Sequence, residues 1–383
     1  MPCDRASCRR EAAVTDELDL SYLKSIREEL HACPELAYRE SVTQSVVMRE
    51  LSAMGYSCRT VGTGVIAELL FKGLPLLAFR ADMDALPIEE RTGVPFASKN
   101  PGVMHACGHD AHMAMLLTSA RRCIEHPQQL RHSVRLIFPP AEEAEGGAIS
   151  MIEGGALEGV REIYALHVDP SGEAGRLYTA PGPLMAGAVE FNLDIAGRGA
   201  HCAERESGCD ALAAGTSILS GFPALEGAAG QGRLLLHAGA MRSGTARNVV
   251  ADAFHAECTL RYYDRSLRDR LWKLLSESCR RAEADFGVTS ALNIQTEYIP
   301  VVNHSEAAAK MAACSACVPM DPVLTAEDFA FYLERVPGCL GWLGVHEGGE
   351  RRRLHTGELM FGPEPLIEGV RIFWRLACET PIK

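Results

Sequence analysis

The segment LPLLAFRADMDALPIEE, residues 74–90, decides the fold. Its first half is an apolar run suited to a strand covered on both faces, and its second half turns abruptly to the carboxylates Asp82, Asp84, Glu89 and Glu90. Ligand sites in α/β sheets collect where such strands end. Upstream, residues 18–54 carry apolar side chains at helical spacing and residues 63–68 alternate as a strand. Downstream, residues 111–124 predict a helix, and residues 133–139 and 163–168 predict further strands, each followed by a polar cluster. The expected fold is α/β: a mostly parallel central sheet flanked by helices, with chemistry at the strand ends.

The texture changes near Leu184. Residues 190–195 and 251–262 alternate as antiparallel strands do, and helical patterns at 208–219 and 267–286 lie between and beside them. This predicts an inserted α+β domain at 185–297, with a discontinuous catalytic, metal-binding domain made of 1–184 and 298–383. The chain shows no internal repeat or low-complexity stretch.

With 383 residues, 47% hydrophobic and 23% charged, the chain has enough apolar material for two cores. A net charge of −12 without basic clustering excludes the electrostatic footprint of a nucleic-acid or anionic-membrane binder and favours a small-molecule or peptide-like substrate. Residues 1–19 lack the apolar core of a signal peptide, and no run of about 18 apolar residues could span a bilayer, so a cytoplasmic location is expected. The fourteen cysteines are scattered, as buried reduced thiols would be.

One cysteine differs from the rest. Cys107 precedes His109 by two positions, a spacing that cannot share a helix face but can converge from a turn, and Gly108 between them permits tight backbone. An isolated Cys-Gly-His reads as a buried thiol beside a capping histidine; His105, Asp110 and His112 in the same eight residues reverse that preference. Glu142 and Glu143 are adjacent, so their side chains diverge and one can meet a metal while the other faces a water. A lone pair of this kind, with Glu145 beside it, more often forms a solvated acidic loop, but the apolar strand before it argues for a fixed position. His167 and His355, each alone, read as structural histidines. Together, a thiolate, imidazoles and a carboxylate suit a catalytic transition-metal centre better than a calcium or magnesium cage.

Seven motifs now stand in order: RADMDALPIEE (80–90), MHACGHDAH (104–112), PAEE (140–143), ALHV (165–168), GRGAH (197–201), ARNVV (246–250) and TAEDFAFY (325–332). Over nearly the whole chain they resemble the M20 metallopeptidases, and most closely the amidohydrolase branch of that family. That branch includes N-acyl-amino-acid amidohydrolases, hippurate hydrolases, indole-acetyl-amino-acid hydrolases and N-acetyl-diaminopimelate deacetylases. The resemblance implies two divalent metal ions per subunit, zinc or manganese first and cobalt or nickel also compatible, held by Cys107, His109, Glu143, His167 and His355. It assigns Glu142 to proton transfer. Asp82 stands where other branches place a metal-binding histidine, and Asp84, Asp110 and His112 are expected to support the ligands rather than bind metal.

In the inserted domain, His201 resembles the family's lid histidine, which stabilises the oxyanion, often in the neighbouring subunit's site. Asn248 and Arg261 resemble positions that hold the substrate's carboxylate end. A homodimer through the inserted domain and an N-acyl-L-amino acid or peptide-like substrate follow from the same resemblance. The chain departs from the family at Arg205-Glu206, where Pro-His is frequent, and at Ala251, where proline is usual. The alternatives are a dipeptidase or aminoacylase of another M20 branch, a cysteine hydrolase using Cys107 with His109, and a non-catalytic metal-storage protein.

Overall fold

The computed structural model describes residues 5–144, 146–230, 234–349 and 351–379, with side chains from residue 17 onward. The chain forms two compact units: residues 1–184, 302–321 and 328–383 make the first, and residues 185–301 and 322–327 the second. The main stretch of the second unit runs from 185 to 301. Residues 322–327 join it through main-chain bonds, because the amide of Ala186 meets the carbonyls of Val323 and Thr325.

The first unit is built on an eight-stranded sheet in the order Ser57–Val61, Gly64–Leu69, Ser133–Phe138, Leu76–Arg80, Val160–Glu173, Gly338–His346, Leu177–Thr179 and Cys317–Pro319. Its four central strands, Ser133–Phe138 through Gly338–His346, are mutually parallel, and antiparallel pairing is confined to the flanks. Such strands are apolar along their whole length because both faces are covered, and Ser133–Phe138 is buried at all six positions. Helix His109–Glu125 packs between Arg5–His31 and Leu366–Cys378. Fourteen of its 17 residues are buried, so it is a central helix rather than a surface one. The helical spacing over residues 18–54 belongs to two helices, Arg5–His31 and Ser41–Ala53. A turn containing Pro34, with Tyr38 at φ 60°, separates them.

Register positions the chemistry. Arg80 stands opposite Ile137 on one side and Ala165 on the other, so the segments just beyond these three positions lie side by side at one end of the sheet, the third still within its strand. They carry Asp82 and Asp84, Glu142 and Glu143, and His167.

The second unit is a four-stranded antiparallel sheet in the order Thr289–Tyr298, Gly187–Ala196, Ala253–Tyr262 and Leu234–Ser243. Its core joins alternate residues of the two inner strands to helices Ala211–Ser220, Phe222–Ala229 and Arg265–Phe286. The last of these presents Leu271, Leu275, Cys279 and Ala282 at spacings of four, four and three, one apolar stripe. Asp264 caps its start, accepting from Ser266 N at 2.7 Å, and Gly287 at φ 67° ends it. The outer strands were not legible in the sequence, because an edge strand exposed along much of its length loses the apolar alternation that marks an inner one.

Candidate metal centre

The Cys-Gly-His turn is shaped by its glycine. Gly108 has φ 91°, and a Cβ there would come within 2.5 Å of Val168 Cγ2, so both conformation and space demand the bare backbone. The turn sets Cys107 Sγ 3.4 Å from His167 Nε2 and makes His109 the first residue of its helix. His109 Nδ1 is 2.9 Å from the Asp84 carbonyl oxygen, and His167 Nδ1 is 2.8 Å from that of Val168, which fixes both rings and leaves each Nε2 for the cavity. His355 stands at φ 60° with its amide bonded to the Ala106 carbonyl, and its Nε2 is 3.2 Å from Glu143 Oε1.

The structure therefore brings all five expected ligands together, with Glu142 among them. Donor atoms of Cys107, His109 and His167, of Cys107, Glu143 and His355, and of His109, Glu142 and Glu143 form three overlapping groups, each within 4.8 Å. His109 Nε2 lies 3.8 Å from Glu143 Oε1 and 4.0 Å from Glu142 Oε2. These spacings are too long for good hydrogen bonds. They are close to the roughly 3.4 Å that separates donors sharing a cation about 2.1 Å from each. His109 Nε2 is buried with no hydrogen-bond partner among the described residues, and Glu143 Oε1 is buried with His355 Nε2 beside it. A buried polar atom without a partner calls for an occupant, and sulfur, nitrogen and oxygen donors together fit a divalent transition metal.

The electrostatics agree. Burial pushes the Cys107 thiol well above its usual range, and the Glu143 and Glu142 carboxylates push it further. Burial opposes charge on His109, but Asp82, Asp84 and Glu143 outweigh it and raise the imidazole to about 10. Burial, reinforced by His112, lowers His167 to about 3. Against its burial, Glu143 is held at about 2 by His355 and His109. The carboxylates that crowd this cavity draw positive charge into it.

Asp82, His109 and His112 form a further close group, but two of its members are already committed. Asp82 takes His112 Nδ1 at 2.6 Å and Arg80 Nη1 at 2.6 Å, while His112 Nε2 accepts from Val168 N at 3.0 Å. Asp82 and His112 thus brace the segment that carries His167. Asp84 accepts the Glu143 amide at 2.9 Å in addition to holding His109. Asp110 takes Arg27 Nε and His31 Nδ1, each at 3.0 Å, tying the first turn of its helix to the N-terminal helix.

Several contributors escaped the sequence analysis. Arg27 and His31 hold Asp110, and Asp328 accepts Arg80 Nη2 at 2.5 Å and the Ala148 amide at 2.9 Å. Glu40 accepts the Ala141 amide at 2.9 Å. The Trp342 ring lies over His167 with centroids 4.6 Å apart and planes at 31°. Asp328 lies in the TAEDFAFY motif without a role read from it, and no local pattern marks Arg27, His31, Glu40 or Trp342, whose partners lie far away in sequence. Glu145 lies outside the described residues.

In the second unit, His201 is exposed, and its Nδ1 accepts from Ala203 N at 3.2 Å. Asn248 stands beside it, its carbonyl bonded to the Cys202 amide at 3.0 Å. Arg261 is elsewhere. It lies eight residues along the strand from Ala253, about 26 Å at roughly 3.3 Å per residue, and its Nη2 donates to Glu190 Oε1 at 2.8 Å. Within this unit, His201 and Asn248 are brought together and Arg261 is not.

A sheet with a parallel centre, delivering thiol, imidazole and carboxylate donors to one end, is the framework of a metal-dependent hydrolase. Residues 78–379 match the family described as Peptidase family M20/M25/M40. The chain belongs to this family, on its amidohydrolase branch, and is an enzyme acting on linear amides.

It is 34% identical over 334 residues to the N-acetyl-L-cysteine deacetylase of Bacillus subtilis, covering 84% of this chain and 80% of that one. It is 32% identical over 368 residues to the N-acetyldiaminopimelate deacetylase of Lacticaseibacillus casei, covering 91% and 95%. A Bacillus subtilis crystal structure described as a dinuclear metal binding peptidase from the M20 family superposes with a TM-score of 0.84 at 30% identity, covering 94% and 98%. A Rhodococcus jostii protein named putative glutamate–cysteine ligase 2-3 is 36% identical over 368 residues, and this chain spans 46% of its length.

Proposed function

We propose that this chain hydrolyses the amide bond of N-acyl-L-amino acids, releasing a carboxylic acid and a free amino acid. Cys107, His109, Glu143, His167 and His355 hold two divalent ions, zinc or manganese, and Glu142 is the general base. The observation that carries this is the convergence of these six side chains, with His109 Nε2 buried and without a hydrogen-bond partner among the described residues. The deacetylase relatives support the substrate class.

When bound, the ions supply polarisation of the amide carbonyl and acidification of a water. Glu142, buried at the mouth of the Glu-Glu turn, takes that water's proton and returns it to the departing amine, which leaves as a neutral group. Asp84 and Asp82 keep the His109 and His167 segments in place through the bonds described above. His201 donates to the oxyanion that forms when the carbonyl is attacked, and Asn248 beside it holds the substrate's carboxylate end. Dimerisation through the second unit, with His201 serving a neighbour's site, completes the proposal. The twelve described cysteines outside the N-terminal segment are free thiols, which suits a cytoplasmic setting.

A cysteine nucleophile is disfavoured on the same geometry. Such an enzyme needs a depressed thiol pKa, and here burial and two carboxylates push Cys107 the other way. The test is a panel of N-acetyl, N-benzoyl and long-chain N-acyl amino acids together with dipeptides, assayed for amine release with zinc, manganese, cobalt or nickel added to stripped protein. Metal-dependent release from acyl amino acids is the expected result. Activity on dipeptides alone, or activity indifferent to chelation, would overturn it.

A further inference from the structure

The residues that bear the proposed base and a proposed ligand sit on a turn with unfavourable backbone. Ala141, immediately before Glu142, has φ 54°, a left-handed conformation that side chains rarely adopt outside glycine. Its neighbour on the other side is Pro140, whose carbonyl oxygen lies 1.9 Å from where a Cβ on Gly147 would stand, so the turn closes tightly on itself. The Gly146 amide, bonded to the Ala141 carbonyl at 3.0 Å, seals it.

Three carboxylates hold this turn by its amides. Asp84 takes Glu143 N, Asp328 takes Ala148 N and Glu40 takes Ala141 N. Glu40 differs from the other two. Asp84 also orients His109, and Asp328 also pairs with Arg80, whereas Glu40 is fully buried and its described partners are Ala141 N, Tyr38 N at 3.0 Å and Thr63 Oγ1 at 2.5 Å. A buried carboxylate spent on two amides of left-handed residues, Tyr38 and Ala141, is a backbone clamp.

We propose that Glu40 is a positioning residue for the amide hydrolysis: by clamping Ala141 in its left-handed conformation it aims the Glu142 carboxylate, without touching substrate or metal donors. The inference rests on Glu142 being the base. Loss of the clamp frees Ala141 to relax toward ordinary φ, which rotates the following peptide and swings Glu142 away. Glu143 keeps its own anchor on Asp84, so metal retention survives better than turnover.

The test compares wild type, Glu40→Ala and Glu40→Gln, each metal-saturated and below its unfolding temperature. Metal content, kcat, KM and amide hydrogen exchange of the peptide spanning residues 138–148 are measured. The glutamine retains an acceptor oxygen for Ala141 N and an amide that can meet Thr63. Glu40→Ala is expected to lower kcat by about tenfold or more with KM within about threefold and metal content unchanged, and to speed exchange in that peptide selectively. Glu40→Gln is expected to recover most of both. Unchanged kcat, a loss of kcat that follows metal content, or exchange accelerated evenly across the first unit would each overturn the proposal. If wild type cleaves none of the substrates while the exchange result holds, the proposed function fails and the clamp on the turn stands.

Discussion

The two units hold their candidate functional residues in opposite ways. In the first, most donors are fixed by buried partners, His109 by Asp84, His167 by the Val168 carbonyl and Trp342, and the Glu-Glu turn by Glu40, Asp84 and Asp328, while His355 is exposed. In the second, His201 and Asn248 are exposed, and the His201 ring accepts from the neighbouring Ala203 amide. The first unit is preorganised around its candidate metal centre, whereas the second presents His201 and Asn248 at its surface.

The largest expected effect tests the first half of that contrast. Stripping the protein with a chelator should abolish amine release, and added zinc or manganese should restore it; activity that survives demonstrated metal loss would end the metal proposal. Next is Glu142→Gln, expected to keep metal while losing about 100-fold or more of kcat, the scale of a missing general base. Metal analysis beside kinetics separates the base from the ligands, and equal loss of metal would show that Glu142 holds the ions.

For the second unit, His201→Ala should lower kcat by about 100-fold, the usual cost of one oxyanion donor, with metal content and thermal unfolding unchanged. Mixing the Glu142→Gln and His201→Ala proteins after subunit exchange sharpens this. If His201 serves a neighbour's site, half the molecules become mixed dimers with one intact site each, and activity returns to about a quarter of wild type. No recovery under conditions of proven exchange would place His201 in the same chain as the site it completes.

The sequence made the metal end legible because its residues stand in short motifs: one glycine turn, one carboxylate pair, a histidine in an apolar strand and a histidine in Leu354-His-Thr-Gly357. It concealed what fixes them. Arg80 lies 248 residues from Asp328, Arg27 83 from Asp110 and Glu40 101 from Ala141, and no local spacing pairs them. Secondary structure followed the same rule. The buried strand residues 133–139 and the helix 111–124 were readable from apolar pattern within a residue or two, while the edge strands Leu234–Ser243 and Thr289–Tyr298 were not. Asp328→Ala tests how much the hidden partners matter. Removing one member of a buried ion pair should cost ~3–5 kcal/mol of stability, read as a shifted denaturant midpoint, and a shift near zero would mean that Arg80 is satisfied without it.

The smallest effect is expected at Arg261, where resemblance and geometry part. Resemblance gives it the substrate's carboxylate; the structure gives it Glu190, in a partly exposed pair on the open face of the second sheet. Exposed pairs of this kind contribute about 0–1 kcal/mol, and Thr259 Oγ1 donates to the same Glu190 oxygen at 2.9 Å, so Glu190 keeps a partner when the arginine is lost. Arg261→Ala should therefore leave kcat and KM within about twofold and barely move thermal unfolding, whereas Asn248→Ala, beside His201, should raise KM. A large rise in KM for Arg261→Ala, absent in Glu190→Gln, would show that the guanidinium leaves Glu190 for the substrate, and would make this strand end part of the site.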